Sequence, residues 1–244
     1  MPGISIIIPT LNEAKCIRQT LMHLQELDPA PLEIIVVDGG SSDHTLDICR
    51  SYPVKVICCQ KAGRAFQLNS GAASATGEIL CFLHADTLVP LRLAAMLDDT
   101  LKNHRIALGG FIAIMGYAGK THWFTTWLNF SKTYFGPLLY SPYQCLFKGM
   151  RLLFGDQVMF CRKNDFVQVG GFDANLPIME EADLCRKMNR LGRIKQIRQR
   201  VYTSDRRIIY WGFWKAHAIY IGIFLLWALG VSPYRLKKFY EEVR

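Results

Sequence analysis

Ile4-Ser-Ile-Ile-Ile-Pro9, continued by Thr10-Leu-Asn-Glu13, is the stretch on which the fold turns. From Ile4 to Ile8 the run is apolar apart from Ser5 and does not alternate, so it reads as a strand buried on both faces, as in a parallel sheet. Pro9 ends it. Asn12-Glu13 opens a helix whose Ile17, Leu21 and Leu24 recur at helical spacing, and Pro29 and Pro31 stop that helix. The same unit then repeats. Glu33–Val37 is a second buried strand, Thr45–Tyr52 a short helix, Val54–Cys58 a third strand and Arg64–Ala75 a helix closed by Gly77. Ile79–Leu83 is a fourth strand and Leu91–Asn103 a further helix. Strands alternating with helices of this length predict an α/β fold, a mainly parallel central sheet with helices on both faces.

Polar residues gather just past strands one, two and four, the edge where open α/β sheets bind ligands. No G-x-G-x-x-G and no G-x-x-x-x-G-K-[ST] is present, which removes the main support for a dinucleotide or P-loop site. The 244 residues are half apolar and 20% charged, which excludes disorder, collagen and coiled coil. The net charge of +9 is unevenly placed. Residues 1–185 hold 15 Lys/Arg against 17 Asp/Glu, whereas 186–244 hold 14 against 3. A basic, apolar final quarter suits an anionic surface. The start, Met-Pro-Gly-Ile, lacks the basic region of a signal peptide. The eight cysteines form no C-x-x-C pair and read as reduced, mostly buried thiols of a cytosolic body.

Acids at strand ends carry the chemistry. Asp38 follows strand two, Asp86 follows strand four, and Glu180, Glu181 and Asp183 begin a helix. One such residue alone is ordinarily a turn or helix-start acid. The set in this order points to a hard divalent cation, Mg²⁺ or Mn²⁺, held by one or two carboxylates and diphosphate oxygens. The expectation is that Asp38, Asp86 and Glu181 converge on one cleft.

Five segments carry a resemblance: Ser5-Ile-Ile-Ile-Pro-Thr-Leu-Asn-Glu13, Val37-Asp-Gly-Gly-Ser-Ser-Asp-His-Thr45, Arg64 with Asn69-Ser-Gly-Ala-Ala73, His84-Ala-Asp86 and Glu180-Glu-Ala-Asp-Leu184. Together they resemble glycosyltransferase family 2, inverting enzymes of GT-A fold, over about residues 3–200. The wording of Phe82–Thr87, Gly155-Asp-Gln157 and Gly171-Phe-Asp173 is similar to a bacterial branch associated with arsenosugar or lipid-linked glycoside biosynthesis. The resemblance implies transfer of a sugar from a nucleotide-diphosphate sugar, a UDP-sugar favoured, to a hydroxyl acceptor of lipid or small-molecule type. It implies donor contacts from Pro9, Thr10, Glu13, Asp38, Arg64, Asn69, His84 and Ala85, and the metal at Asp86. His84 stands where the family has the first acid of its D-x-D, and Gly39 where it has the second acid of D-D-G-S. Glu181 is implied as general base, with Glu180 as the fallback, and Asp156 and Gln157 as acceptor contacts.

Tyr117–Phe147 holds ten aromatics and two charges, which reads either as an acceptor groove or membrane-contacting flap or as core. Residues 1–205 are expected to form the catalytic domain and 206–244 an amphipathic segment. Ile208–Val231 is the most apolar stretch, but Lys215 and His217 interrupt it, so it is expected to lie on a membrane rather than span it, or else to pack on its own domain or a dimer partner. Arg206, Arg207, Arg235, Lys237 and Lys238 would then meet anionic headgroups on the cytoplasmic face of the cell membrane. Ser232-Pro233 reads as the start of a last short helix. Competing readings are a sugar-phosphate nucleotidyltransferase, which would want a Gly-rich basic loop after strand one, and an inactive binding protein of the same fold. Nucleic-acid binding lacks any motif.

Overall fold

The computed structural model describes residues 2–59, 63–117 and 120–240. The order is β1 (Ile4–Thr10), α1 (Ile17–Gln25), β2 (Glu33–Asp38), α2 (Thr45–Arg50), β3 (Lys55–Cys58), α3 (Arg64–Ser74), β4 (Ile79–Phe82), β5 (Thr87–Leu88) and α4 (Leu93–Leu101). There follow β6 (Ile106–Tyr117), β7 (Lys120–Thr121), α5 (Trp123–Tyr140), α6 (Pro142–Phe147), β8 (Met159–Arg162), α7 (Lys163–Gln168), α8 (Glu180–Met188) and β9 (Arg193–Thr203). The last elements are α9 (Arg206–Trp211), α10 (Phe213–Ala228) and α11 (Pro233–Leu236).

The sheet runs β3-β2-β1-β4-β8-β6-β9-β5, with β7 paired to β6. β1, β2, β3 and β4 are mutually parallel, β8 runs against both β4 and β6, and β6 and β9 are parallel. This is the mainly parallel α/β sheet that the sequence predicts. Successive residues of β1 feed opposite faces, as pleating requires. Ile6 and Ile8 pack with Ile17, Leu21 and Leu24, while Ile7 packs with Val37, Leu68, Ala72 and Leu80 on the other face. Each of these β1 isoleucines is fully buried, which stabilises by about 1.5–3 kcal/mol per side chain. Gly71 lets α3 lie against β1 and β2: a Cβ there would collide with Ile7 and stand 3.0 Å from Val37 Cγ2.

α1 begins at Ile17, later than the Asn12-Glu13 opening expected, because Asn12 adopts a left-handed φ of 56°. β6 and β9 were not legible. Their pairing shifts register twice, at Ile106/Leu108 and Gly110/Ile112, and so breaks the period-two pattern.

The aromatic stretch is not core. In α5 the inward residues are polar or small: Thr125, Thr126, Asn129, Thr133, Gly136 and Pro137. The rings of Trp123, Trp127 and Phe135 are more than 60% exposed. The apolar tail is not one helix either. Gly212, at φ 78°, separates α9 from α10. Among the described residues no helix is long and apolar enough to cross a membrane. The last short helix starts at Pro233 as read from Ser232-Pro233. All eight cysteines are free thiols, five of them buried.

Candidate active site at the strand ends

A cleft of about 710 Å³ opens beyond the carboxyl ends of β1 and β4, within the range typical of ligand sites. Three loops are tied together beside it. The Asn12 backbone N–H donates to Ser41 Oγ at 2.9 Å, and Asn12 Oδ1 accepts from the Ser42 N–H at 2.8 Å. The Glu13 N–H donates to Thr45 Oγ1 at 2.8 Å. Thr20 Oγ1 donates to the Ala85 carbonyl at 2.6 Å, which fixes the His84-Ala85-Asp86 loop on α1.

Two clusters of acid and arginine face the cleft. In the first, Arg206 at the start of α9 grips Glu13 with both arms, at 2.6 and 2.7 Å, and its Nη2 stands 3.4 Å from Asp86 Oδ2. Asp86 is 8% exposed, and desolvation raises its carboxyl above the ordinary range against the pull of Arg206. Its Oδ1 is buried without a hydrogen-bond partner. In the second cluster Arg64 Nη1 lies 2.9 Å from Glu181 Oε1, and Arg64 Nε lies 3.9 Å from Glu180 Oε1. Burial, and then the neighbouring Glu181 charge, push the Glu180 carboxyl up to about 7. Arg64 also meets His84 Nε2, whose imidazole burial and nearby arginines hold well below its usual range, so it stays neutral and accepts. Gly155 is needed here, since a Cβ would collide with the Arg64 guanidinium.

A third group sits deeper. Asn129 Nδ2 donates to Asp156 Oδ2 at 2.8 Å, and Asp156 Oδ1 has no partner. Desolvation raises Asp156, although Lys132 partly opposes it. The Lys132 ammonium rests 5.0 Å from the Phe154 ring centroid, and burial brings it down to about 8.

Of the residues singled out in the sequence, Pro9, Thr10, Glu13, Arg64, His84, Ala85, Asp86, Asp156, Glu180 and Glu181 all line this cleft. Asp183 does not line it and instead pairs with Lys187 at 2.7 Å, and three more of the expected site residues also lie outside it. Asp38 is buried behind it, accepting from the Gly40 and Ser41 N–H groups at 2.9 and 2.8 Å and from Thr10 Oγ1 at 3.2 Å. The expected convergence is therefore of Asp86 with Glu181, and Asp38 instead shapes the loop beside them. Asn69 is spent on the Phe172 backbone, at 2.8 and 3.0 Å. Gln157 donates to Thr133 Oγ1 at 2.9 Å inside the wall.

Sequence reasoning missed Gln67, Asn129, Lys132, Arg206, Arg207, Tyr220 and Tyr240 as lining residues. Gln67 donates to the carbonyls of Thr10 and Val37 at 2.8 and 2.7 Å, and the space a side chain at Gly39 would need is already filled by its amide. That accounts for the missing second acid after Asp38. Arg206 faces carboxylates, not headgroups. Among the described residues, the three non-glycine residues with left-handed backbone, Asn12, Val158 and Met179, directly precede Glu13, follow Asp156-Gln157 and precede Glu180. Such conformations cost energy and cluster where side chains must be aimed.

Known proteins share this fold. The chain resembles the mannosyltransferase PcManGT of Pyrobaculum calidifontis, solved with GDP-Man and Mn²⁺, with a TM-score of 0.69 at 18% identity over all of this chain and 66% of that one. It resembles glucosyl-3-phosphoglycerate synthase of Mycobacterium tuberculosis, solved with Mn²⁺, UDP and glucosyl-3-phosphoglycerate, with a TM-score of 0.64 at 20% identity over 94% and 81% of the two chains. These likenesses establish the GT-A fold. In sequence it is 30% identical over 110 residues to poly-beta-1,6-N-acetyl-D-glucosamine synthase of Staphylococcus epidermidis, 43% of this chain and 27% of that enzyme. The chain thus spans about a quarter of that relative's length. The family model for glycosyl transferase family 2 matches residues 5–164, well over half of the 244, so the chain belongs to that family.

Proposed function

We propose that the protein is an inverting glycosyltransferase that moves a sugar from a nucleotide-diphosphate sugar, with a UDP-sugar favoured, to a hydroxyl acceptor. The observation that carries this is the meeting of two acid–arginine clusters in one cleft, Glu13–Asp86–Arg206 and Glu180–Glu181–Arg64.

Pro9 and Thr10 form the nucleoside floor, with Asp38 holding their loop in shape. The residues fit a divalent cation at Asp86, because its buried Oδ1 has no hydrogen-bond partner. Among the described residues no cluster of three or more His, Cys, Asp or Glu stands ready to hold a metal, so the diphosphate oxygens would complete its shell. Bound there, Mg²⁺ or Mn²⁺ supplies positive charge against the departing diphosphate. Arg206 and Arg64 add fixed positive charge at the same place, at no reorganisation cost. His84, neutral, keeps Arg64 aimed.

On the acceptor side, Asp156 and Lys132 position the hydroxyl. A carboxylate of the Glu180–Glu181 pair removes its proton. Glu180 is the better-poised member, because its carboxyl titrates near neutrality while Glu181 is bonded to Arg64. The acceptor oxygen bonds to the anomeric carbon as the bond from that carbon to the diphosphate oxygen breaks. The electron pair leaves with the nucleoside diphosphate, and configuration inverts. The reading includes residence on an anionic membrane surface through the acid-free C-terminal helices.

The test is a thermal-shift panel of nucleoside diphosphates and their sugars with and without Mn²⁺, followed by product analysis. A melting point raised by UDP, with UDP released on turnover, is expected. Pyrophosphate release would point to nucleotidyl transfer instead, and no response to any nucleotide would sink the proposal.

A further inference from the structure

α5 is built inside out. Its polar face, with Thr125, Asn129 and Lys132, lines the cleft, and its rings face away. Those rings continue into the C-terminal helices without a break. Trp127 contacts Phe124 at a centroid distance of 6.0 Å, Phe124 contacts Phe213 at 5.6 Å, and Phe213 contacts Trp214 at 5.2 Å. Beneath them Thr125 Oγ1 and His217 Nε2, 2.9 Å apart, pin α5 to α10. Trp214 is 83% exposed, and Phe147 on α6 is 72% exposed. Single exposed apolar residues are ordinary, but a connected array of this kind marks an interaction surface.

Charge selects the occupant. Residues 123–147 contain one charged side chain, Lys132, and it faces the cleft. Residues 206–240 contain no Asp/Glu, and of their six Lys/Arg, Arg206, Arg207 and Lys237 line the cleft while Lys215, Arg235 and Lys238 are exposed. An aromatic face with no acid in either segment, and with the exposed Lys215 next in the chain to Trp214, matches the interface of an anionic bilayer, where rings settle at headgroup depth and cations meet lipid phosphates.

We propose that the outer faces of α5 and α6, joined to α10, dock the protein flat on an anionic lipid surface, with α5 as the partition between bilayer and cleft. The proposal deepens the transferase reading and rests on it for one consequence only, that the acceptor is met at that surface. It also joins the aromatic stretch and the tail into one docking layer.

The whole chain is sedimented with vesicles of phosphatidylcholine and, separately, of phosphatidylcholine with phosphatidylglycerol. Binding to the anionic vesicles is expected. Trp127→Glu with Phe135→Glu should lower it by about ten-fold or more. The pair should retain the far-UV spectrum and the UDP-induced rise in melting point. Phe147→Glu with Trp214→Glu is the second pair, with the same expectation, should the first fail to fold. A supernatant protein with both vesicles, equal binding to both, or wild-type binding by a folded pair overturns the proposal. So does light scattering that shows a dimer dissolved by either pair without vesicle binding, since the face would then belong to a second copy. Vesicle binding without any nucleotide response would leave the docking face standing and remove the transferase reading; the opposite result would do the reverse.

Discussion

The half of the molecule built on β1–β4 and the long helix α5 obey opposite rules. In the first, isoleucine, leucine and valine fill two layers around the sheet, and polar atoms gather at the strand ends. In the second, threonine and asparagine turn inward while tryptophan and phenylalanine turn outward. The contrast teaches that aromatic richness does not locate a core. What locates it is which face of each element has its hydrogen bonds satisfied within the protein.

That contrast can be tested at four sites. The largest effect should come in the cleft that both line, at Glu180. Glu180→Gln should lower turnover by about 10²–10⁴-fold, the span of general-base catalysis. In the native protein turnover should rise with pH through about 7, because Glu180 must lose its proton to act. Removing the like charge next to it, in Glu181→Gln, should move that rise to lower pH; pH–rate profiles read both, and an unmoved profile would transfer the role away from Glu180. Next, Leu80→Ala in the sheet core should cost about 2–5 kcal/mol in urea unfolding, the usual range for a buried leucine. In α5 the costly site should be polar. Thr133→Val strands the amide of Gln157, which donates to its hydroxyl at 2.9 Å, and should cost about 1–3 kcal/mol. Smallest of all, Phe135→Ser, two residues along, should stay within about 0.5 kcal/mol of wild type despite deleting a phenyl ring. If Phe135→Ser proved the more damaging of these two, the inside-out description of α5 would be wrong.

How much of this could be read beforehand follows the same division. β1, β2 and β4 announced themselves because a strand buried on both faces writes an unbroken apolar run, whereas β3 is an edge strand whose Val56 and Ile57 are half-buried. β9 did not, since Ile194, Ile197 and Val201 turn inward among exposed basic residues and its register against β6 slips. Asp86, Glu13, Glu180 and Glu181 were legible as acids at strand and helix ends. Asp38 was legible as special but not in its office: its oxygens are consumed by Gly40, Ser41 and Thr10. Arg206 was hidden because a guanidinium destined for a carboxylate is written no differently from one destined for solvent. Lys132 and Asn129 were hidden inside an aromatic run whose polar minority carried the meaning.

Glu13 and Arg206 grip each other across 193 positions of chain. While the polypeptide is being made, every strand from β1 to β9 leaves the ribosome before that arginine does. Until it emerges, Glu13 and Asp86 lack the cation that faces them both. A chain cut short before residue 206 would keep the two acids and lose the charge that balances them.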